Sequence, residues 1–173
     1  LTAYNHSIYW VNRQSVCSAP VSDLTDVTTH NIGNYCRAIS YSAIRDSFFI
    51  IISNTEVREY STSFELKKTF TGNYAYNISA MPEENSVLIG NCVYDIDDNA
   101  NMLKPCARWE ASPFQCMTFI GEFALAYENV YTGLYLGTQY FSRARLDKPV
   151  TKNSRQTMKI TYDFNMPTID WEH

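Results

Sequence analysis

The sequence predicts an all-β chain: an eight-stranded antiparallel up-and-down β-barrel with a C-terminal helix, or alternatively a β-propeller fragment. Three observations point there. Thirteen Tyr and nine Phe stand against only six Gly and six Pro, a composition that leans towards strands. Period-2 alternation and short apolar runs continue along the chain. The links between these runs are short, so consecutive strands should pair antiparallel as a meander. About eight such strands must hide their edges, and barrel closure or radial repetition does so.

The elements follow in order. Ser7-Ile-Tyr-Trp-Val reads as a first strand, and the polar stretch from Ser15 to Asn34 as a loop. Cys36-Arg-Ala-Ile-Ser-Tyr is a second strand and Phe48-Phe-Ile-Ile-Ile-Ser a third, joined by a turn around Arg45-Asp46. Phe64 to Asn77 alternates well enough for one long strand or two short ones, with Gly72 a candidate bulge. Ser86-Val-Leu-Ile-Gly follows the turn Pro82-Glu-Glu-Asn. Phe114 to Phe119, Phe123 to Tyr127 and Leu134 to Arg143 complete the set. In the barrel reading, the strand near Trp10 hydrogen-bonds to the strand near Tyr140. Asp147-Lys-Pro149 is a helix start, which predicts a helix over 149–160 on the outer wall. The alternation of Met158, Ile160, Tyr162 and Phe164 argues instead for a strand. No linker or low-complexity segment divides the chain, so residues 1–173 read as one domain. The propeller alternative rests on a repeat: Gly33-Asn-Tyr and Gly72-Asn-Tyr stand 39 residues apart, a blade-like period.

The C-terminal third resembles the lipocalins, the eight-stranded ligand-binding barrels. Trp109-Glu-Ala-Ser-Pro-Phe-Gln-Cys-Met-Thr-Phe, Phe123-Ala-Leu-Ala-Tyr and Tyr140-Phe-Ser-Arg-Ala-Arg-Leu are similar to that family's last three strands. Asp163-Phe-Asn-Met-Pro-Thr-Ile stands at about the family's distance beyond Arg143, and the strand from Cys36 matches its cysteine-led second strand. The chain departs from the pattern at Ile8, where the family has Gly, and at Thr118-Phe-Ile-Gly. It also has no cysteine after Cys116 to pair with Cys36. The resemblance implies that Trp10 closes the barrel floor under Arg143, a cation on an indole face. Arg145, two residues on, shares the same parity.

Alternation then selects the lining. Phe49, Ile51 and Ser53 share one face, as do Phe70 and Tyr74. Ala124 and Ala126 leave room, and Tyr135, Gln139 and Phe141 share the parity of Arg143. Phe49, Ile51, Phe70, Tyr74, Ala126, Tyr135 and Phe141 are therefore the candidate ligand-binding residues, each with plain core packing as its alternative role. The resemblance implies a secreted carrier for a small hydrophobic molecule, with a bilin or carotenoid pigment, or a lipid, as the ligand class. The rival reading is a protein-interaction module, a propeller piece excised from a larger receptor or scaffold. Leu1 in place of an initiator Met fits a processed or excised product.

Charge and motif content narrow the classes further. Lys and Arg number 14 against 18 Asp and Glu, so the basic surplus of a nucleic-acid reader is missing. No window approaches the ~18 apolar residues of a membrane span. His6, His30 and His173 are scattered, and no nucleophile elbow occurs, so neither a catalytic nor a metal site is expected. Asp95-x-Asp-x-Asn-x-Asn lacks the Gly and Glu of a calcium loop. Cys92 and Cys106 bracket that segment as either a disulfide or two buried thiols, and five cysteines leave one over. Asn5-His-Ser and Asn77-Ile-Ser are glycosylation sequons in a secreted setting. Homo-oligomerisation is left open.

Overall fold

Short turns fold the chain into one hairpin after another, but the hairpins gather in groups. A computed structural model describes residues 1–74, 77–82, 84–90, 92–108, 116–120, 123–130 and 138–145. The first group is β1 (Thr2–Tyr4), β2 (Ser7–Asn12), β3 (Ser15–Pro20) and β4 (Thr28–Asn31). Its first link is the two-residue turn Asn5-His6, with φ of 45° and 59°, the twist that suits a tight hairpin. The second group is β5 (Cys36–Ser42), β6 (Ser47–Ile52), β7 (Glu56–Ser61) and β8 (Leu66–Thr71). The third is β9 (Ile78–Ala80), β10 (Ser86–Ile89), β11 (Cys92–Asp95) and β12 (Lys104–Arg108). The fourth is β13 (Cys116–Ile120), β14 (Phe123–Val130) and β15 (Thr138–Arg145). Every pairing is antiparallel and joins neighbours in sequence within its own sheet.

The sheets stack through their faces, with their first strands side by side. β5 lies against β1 and β2 on one side and β9 on the other, and β9 lies against β13. Two apolar layers fill the gaps. Tyr4, Tyr9, Val11 and Val16 meet Ile39, Phe48, Ile50, Ile52 and Tyr60 between the first and second sheets. Phe49, Ile51, Val57 and Phe70 meet Ile78, Val87 and Ile89 between the second and third. Strand β6 is therefore buried along its whole length, alternate residues serving opposite layers.

This arrangement corrects the barrel expectation. β2, which carries Trp10, pairs with β1 and β3, and β15, which carries Arg143, pairs with β14. The strands near Trp10 and Tyr140 belong to separate sheets, so no closed eight-stranded barrel forms among the described residues. The physical reason is legible in β6. Five consecutive large apolar residues, Phe48 to Ile52, need cover on both faces, which a sheet held between two others provides. The 15–34 stretch, expected as a loop, holds β3 and β4. Gly72 lies just past the end of β8 rather than inside a strand, and its N–H donates to the Thr55 carbonyl. No helix occurs among the described residues, and the helix expected over 149–160 lies outside them.

Candidate functional site

Four of the seven candidate lining residues come together. Phe49 and Ile51 on β6, Phe70 on β8 and Tyr74 beyond it share one cluster with Ile78, Val87, Ile89 and Leu103. All four are buried, and they pack as the layer between two sheets. The Tyr74 hydroxyl donates to the Thr71 carbonyl and accepts from the Leu103 N–H, so the ring is held at its hydroxyl end by two bonds. Ala126 pairs with Ser142 and Phe141 with Tyr127 in the fourth sheet, where strand pairing is what the structure describes. Tyr135 lies outside the described residues. Two hollows lie on the surface formed by described residues. One of about 670 Å³ is bordered by Asn12, Arg13, Gln14, Ser15 and Tyr35, and one of about 430 Å³ by Glu84, Asn85, Ser86, Asp95 and Ile96. Cys17, Cys36 and Cys92 are free thiols. Burial pushes the Cys36 thiol up to about 11.

Two constellations join the sheets, and sequence reasoning missed both. The first is electrostatic. Glu59 on β7 is buried, and its carboxylate accepts from Arg45 Nε and a terminal guanidinium nitrogen, each at 2.9 Å, and from Ser47 Oγ at 2.7 Å. Lys67 Nζ stands 3.3 Å away. Arg45 reaches onward across the sheet boundary to Asp98 at 2.6 Å and to Asn85 at 3.2 Å. Burial raises the Glu59 pKa, but the hydrogen bonds from Arg45 and Ser47 outweigh it, and the carboxyl titrates below its ordinary range. The fork geometry explains an arginine here, since one guanidinium serves two carboxylates. The signal was present in the alternation of Glu56-Val-Arg-Glu-Tyr-Ser, which puts Glu59 on the same face as Val57.

The second constellation is aromatic. His30 on β4 stacks on Phe64 with ring centres 4.1 Å apart, and Phe64 stacks on Phe48 at 5.1 Å. Tyr9 and Tyr4 extend the ladder to Phe48 and Tyr41. Phe64 sits at φ of 64° in the β7–β8 turn, a left-handed conformation that an L residue keeps only when packing enforces it. Burial lowers the His30 pKa, and its Nε2 lies 3.3 Å from Ser18 Oγ. Both constellations have every visible partner inside the protein, so their chemistry is that of clamps between sheets.

Both clamps share one geometry. The loop between the third and fourth strands of a sheet leans on the outermost strand of the sheet before it. Phe64, from the β7–β8 turn, covers His30 on β4. The β11–β12 loop lies along β8: Lys68 Nζ donates to the Asp98 carbonyl, and Thr71 N–H donates to the Asn101 carbonyl at 2.8 Å.

No protein-family model and no curated protein sequence matches the chain. Its fold does match solved structures. Hydrazine synthase from Kuenenia stuttgartiensis is similar at a TM-score of 0.53 and 10% identity, over 81% of this chain and 43% of that one. A chain of a mitotic checkpoint complex is similar at a TM-score of 0.50 and 12% identity, over 83% of this chain and 44% of that one. The chain thus spans less than half the length of either neighbour. At such identities the likeness is one of fold: both neighbours are propeller-type and neither is a lipocalin.

Proposed function

We propose that the chain is a stretch of β-propeller that works as a protein-interaction module, holding partners on its loops rather than a ligand in its core. One observation carries this reading: the first strand of each later sheet packs on the leading strands of the sheet before it, β5 on β1 and β2, β9 on β5 and β13 on β9. Sheets arranged in that way radiate from a shared inner edge and leave their turns at two rims, where other molecules can reach them. The carrier reading needs an open lumen, and four of the seven residues chosen for it, Phe49, Ile51, Phe70 and Tyr74, share one packed cluster. Partner binding at propeller rims requires a rigid scaffold and variable loops, and the Glu59–Arg45–Asp98 clamp supplies the first.

The test has two arms. Purified chain should show no visible absorbance, and its native mass should match the polypeptide without a co-purifying small molecule. Partners captured from source cells should be lost on changing the rim residue Tyr35 to Ser, and kept on changing the core residue Ile51 to Val. A stoichiometric pigment or lipid seated among Phe49, Ile51 and Phe70 would overturn the reading and restore the carrier.

A further inference from the structure

Turns of the first and second sheets meet at one rim, where backbone bonds join them. Cys36 N–H donates to the Arg13 carbonyl at 2.6 Å, Ile32 N–H to the Gln14 carbonyl at 2.9 Å, and Ser53 N–H to the Tyr35 carbonyl at 2.9 Å. These bonds fix the walls of the hollow of about 670 Å³ between Asn12, Arg13, Gln14, Ser15 and Tyr35. Among the described residues no carboxylate borders it. The side chains of Asn12, Arg13 and Gln14 are exposed and have no hydrogen-bond or ion-pair partner among the described residues. Tyr35 is 51% exposed, and Arg37 lies over its ring at 5.2 Å. Arg37 Nε donates to the Ser53 carbonyl at 2.7 Å, so a second guanidinium is pinned at the border. The turns of the opposite rim carry the reverse charge. Each hairpin strand returns the chain to the other end of its sheet, which places Asp23, Asp26, Asp46, Asp97 and Asp98 there. Arg45, in the same turns, is already committed to Glu59 and Asp98.

We propose that the hollow at Arg13 docks an acidic segment of a partner protein. The inference rests on the interaction-module reading and names the partner's chemistry. The Arg13 fork takes an Asp or Glu carboxylate of the segment, two parallel N–H donors meeting its two oxygens. Asn12 and Gln14 flank that fork with side-chain amides that both donate and accept, which is what an extended peptide backbone needs in return. The Tyr35 ring offers an apolar body and a polar tip to the side chain beside the carboxylate. Charge also selects the rim. The carboxylates of the opposite turns repel the same segment, so the field of the molecule steers it to Arg13. A nucleic acid fits less well, because two guanidiniums make no basic track and the chain as a whole carries a net charge of −4.

Random peptides displayed on phage and selected on the purified chain should be enriched in Asp and Glu. A selected acidic peptide should bind Arg13→Gln at least about tenfold more weakly, since a hydrogen-bonded charge pair is lost. Its affinity for the parent should fall as salt is raised. Arg13 is exposed and unpaired among the described residues, so the variant should melt at the parent's temperature. Adding the peptide should shift the amide resonances of residues 12–15 and 32–35 and leave those of 96–99 in place. Selection of no peptide, enrichment of neutral or basic ones, equal binding by Arg13→Gln, or shifts centred on the opposite rim would each overturn the inference. Peptides that bind at another rim surface would do so while the interaction-module reading stands. A single-stranded oligonucleotide that binds at Arg13 more tightly than the selected peptides would overturn the peptide class. A pigment or lipid that co-purifies with the chain, with no peptide selected, would take the interaction-module reading down as well.

Discussion

Glu59 shows how one buried charge holds two sheets in register. It is 1% exposed, yet it keeps its proton off because Arg45 and Ser47 satisfy it and Lys67 stands near. Its folded pKa lies below the unfolded value, so it adds stability above about pH 4.3 that is lost as pH falls through the folded pKa. Glu59→Gln leaves the Arg45 fork short of one charge, and with Arg45 itself partly open to water the expected loss is about 2–3 kcal/mol at neutral pH. Urea titrations from pH 7 downwards check this: the gap between variant and parent should narrow as pH falls through the folded pKa of Glu59, where the parent carboxylate takes up its proton. Asp98→Asn is the contrast. Asp98 is largely exposed, and its loss should cost under about 1 kcal/mol. Equal losses at the two positions would show that the clamp draws its strength from the surface pair.

At the scale of elements, the turn after β8 links backbone geometry to core packing. A Cβ added at Gly72 would stand 2.8 Å from both the ring tip and the hydroxyl of Tyr74. That ring cannot retreat without breaking its bonds to Thr71 and Leu103 or leaving the layer it fills. Gly72→Ala should therefore lower stability by about 1–3 kcal/mol in a thermal melt. Gly33→Ala meets open space but a φ of +77°, so its cost should be the smaller backbone cost of about 1 kcal/mol. The same elements show what the sequence could reveal. β2, β5, β6 and β10 were legible because they carry large apolar or β-branched residues. β3 and β4 were not, since Ser15-Val-Cys-Ser-Ala-Pro buries small side chains and Thr28-Thr-His-Asn is an exposed edge. β7 hid its buried face behind Glu59. Alternation correctly put Phe49 with Ile51 and Phe70 with Tyr74, but parity is silent on whether a shared face borders a cavity or another sheet. Among the sequence signals, the 39-residue Gly-Asn-Tyr spacing was the one that distinguished a fan from a barrel, and both copies fall at the links between sheets.

For the whole molecule, stacking in sequence order makes stability a matter of position along the fan. Each sheet exchanges contacts with its immediate neighbours, so the chain behaves as a short linear array in which interior units are held from two sides. The second sheet is the best held. All six residues of β6 are buried, and its two faces feed the two apolar layers. Among the described residues the first sheet packs on the second, and β4 is mostly exposed. Opening should then begin at the end of the array and reach the second sheet last. Native-state hydrogen exchange measures this directly. The ladder amides of Phe48 to Ile51 should exchange at least about a hundredfold more slowly than those of β1 and β4. Glu59→Gln should speed exchange in the second and third sheets, which its clamp joins, and leave β1 and β4 as they were. Uniform protection from β1 to β12, shifting as one with that substitution, would mean that the three sheets open as a single cooperative unit and that the linear picture is wrong.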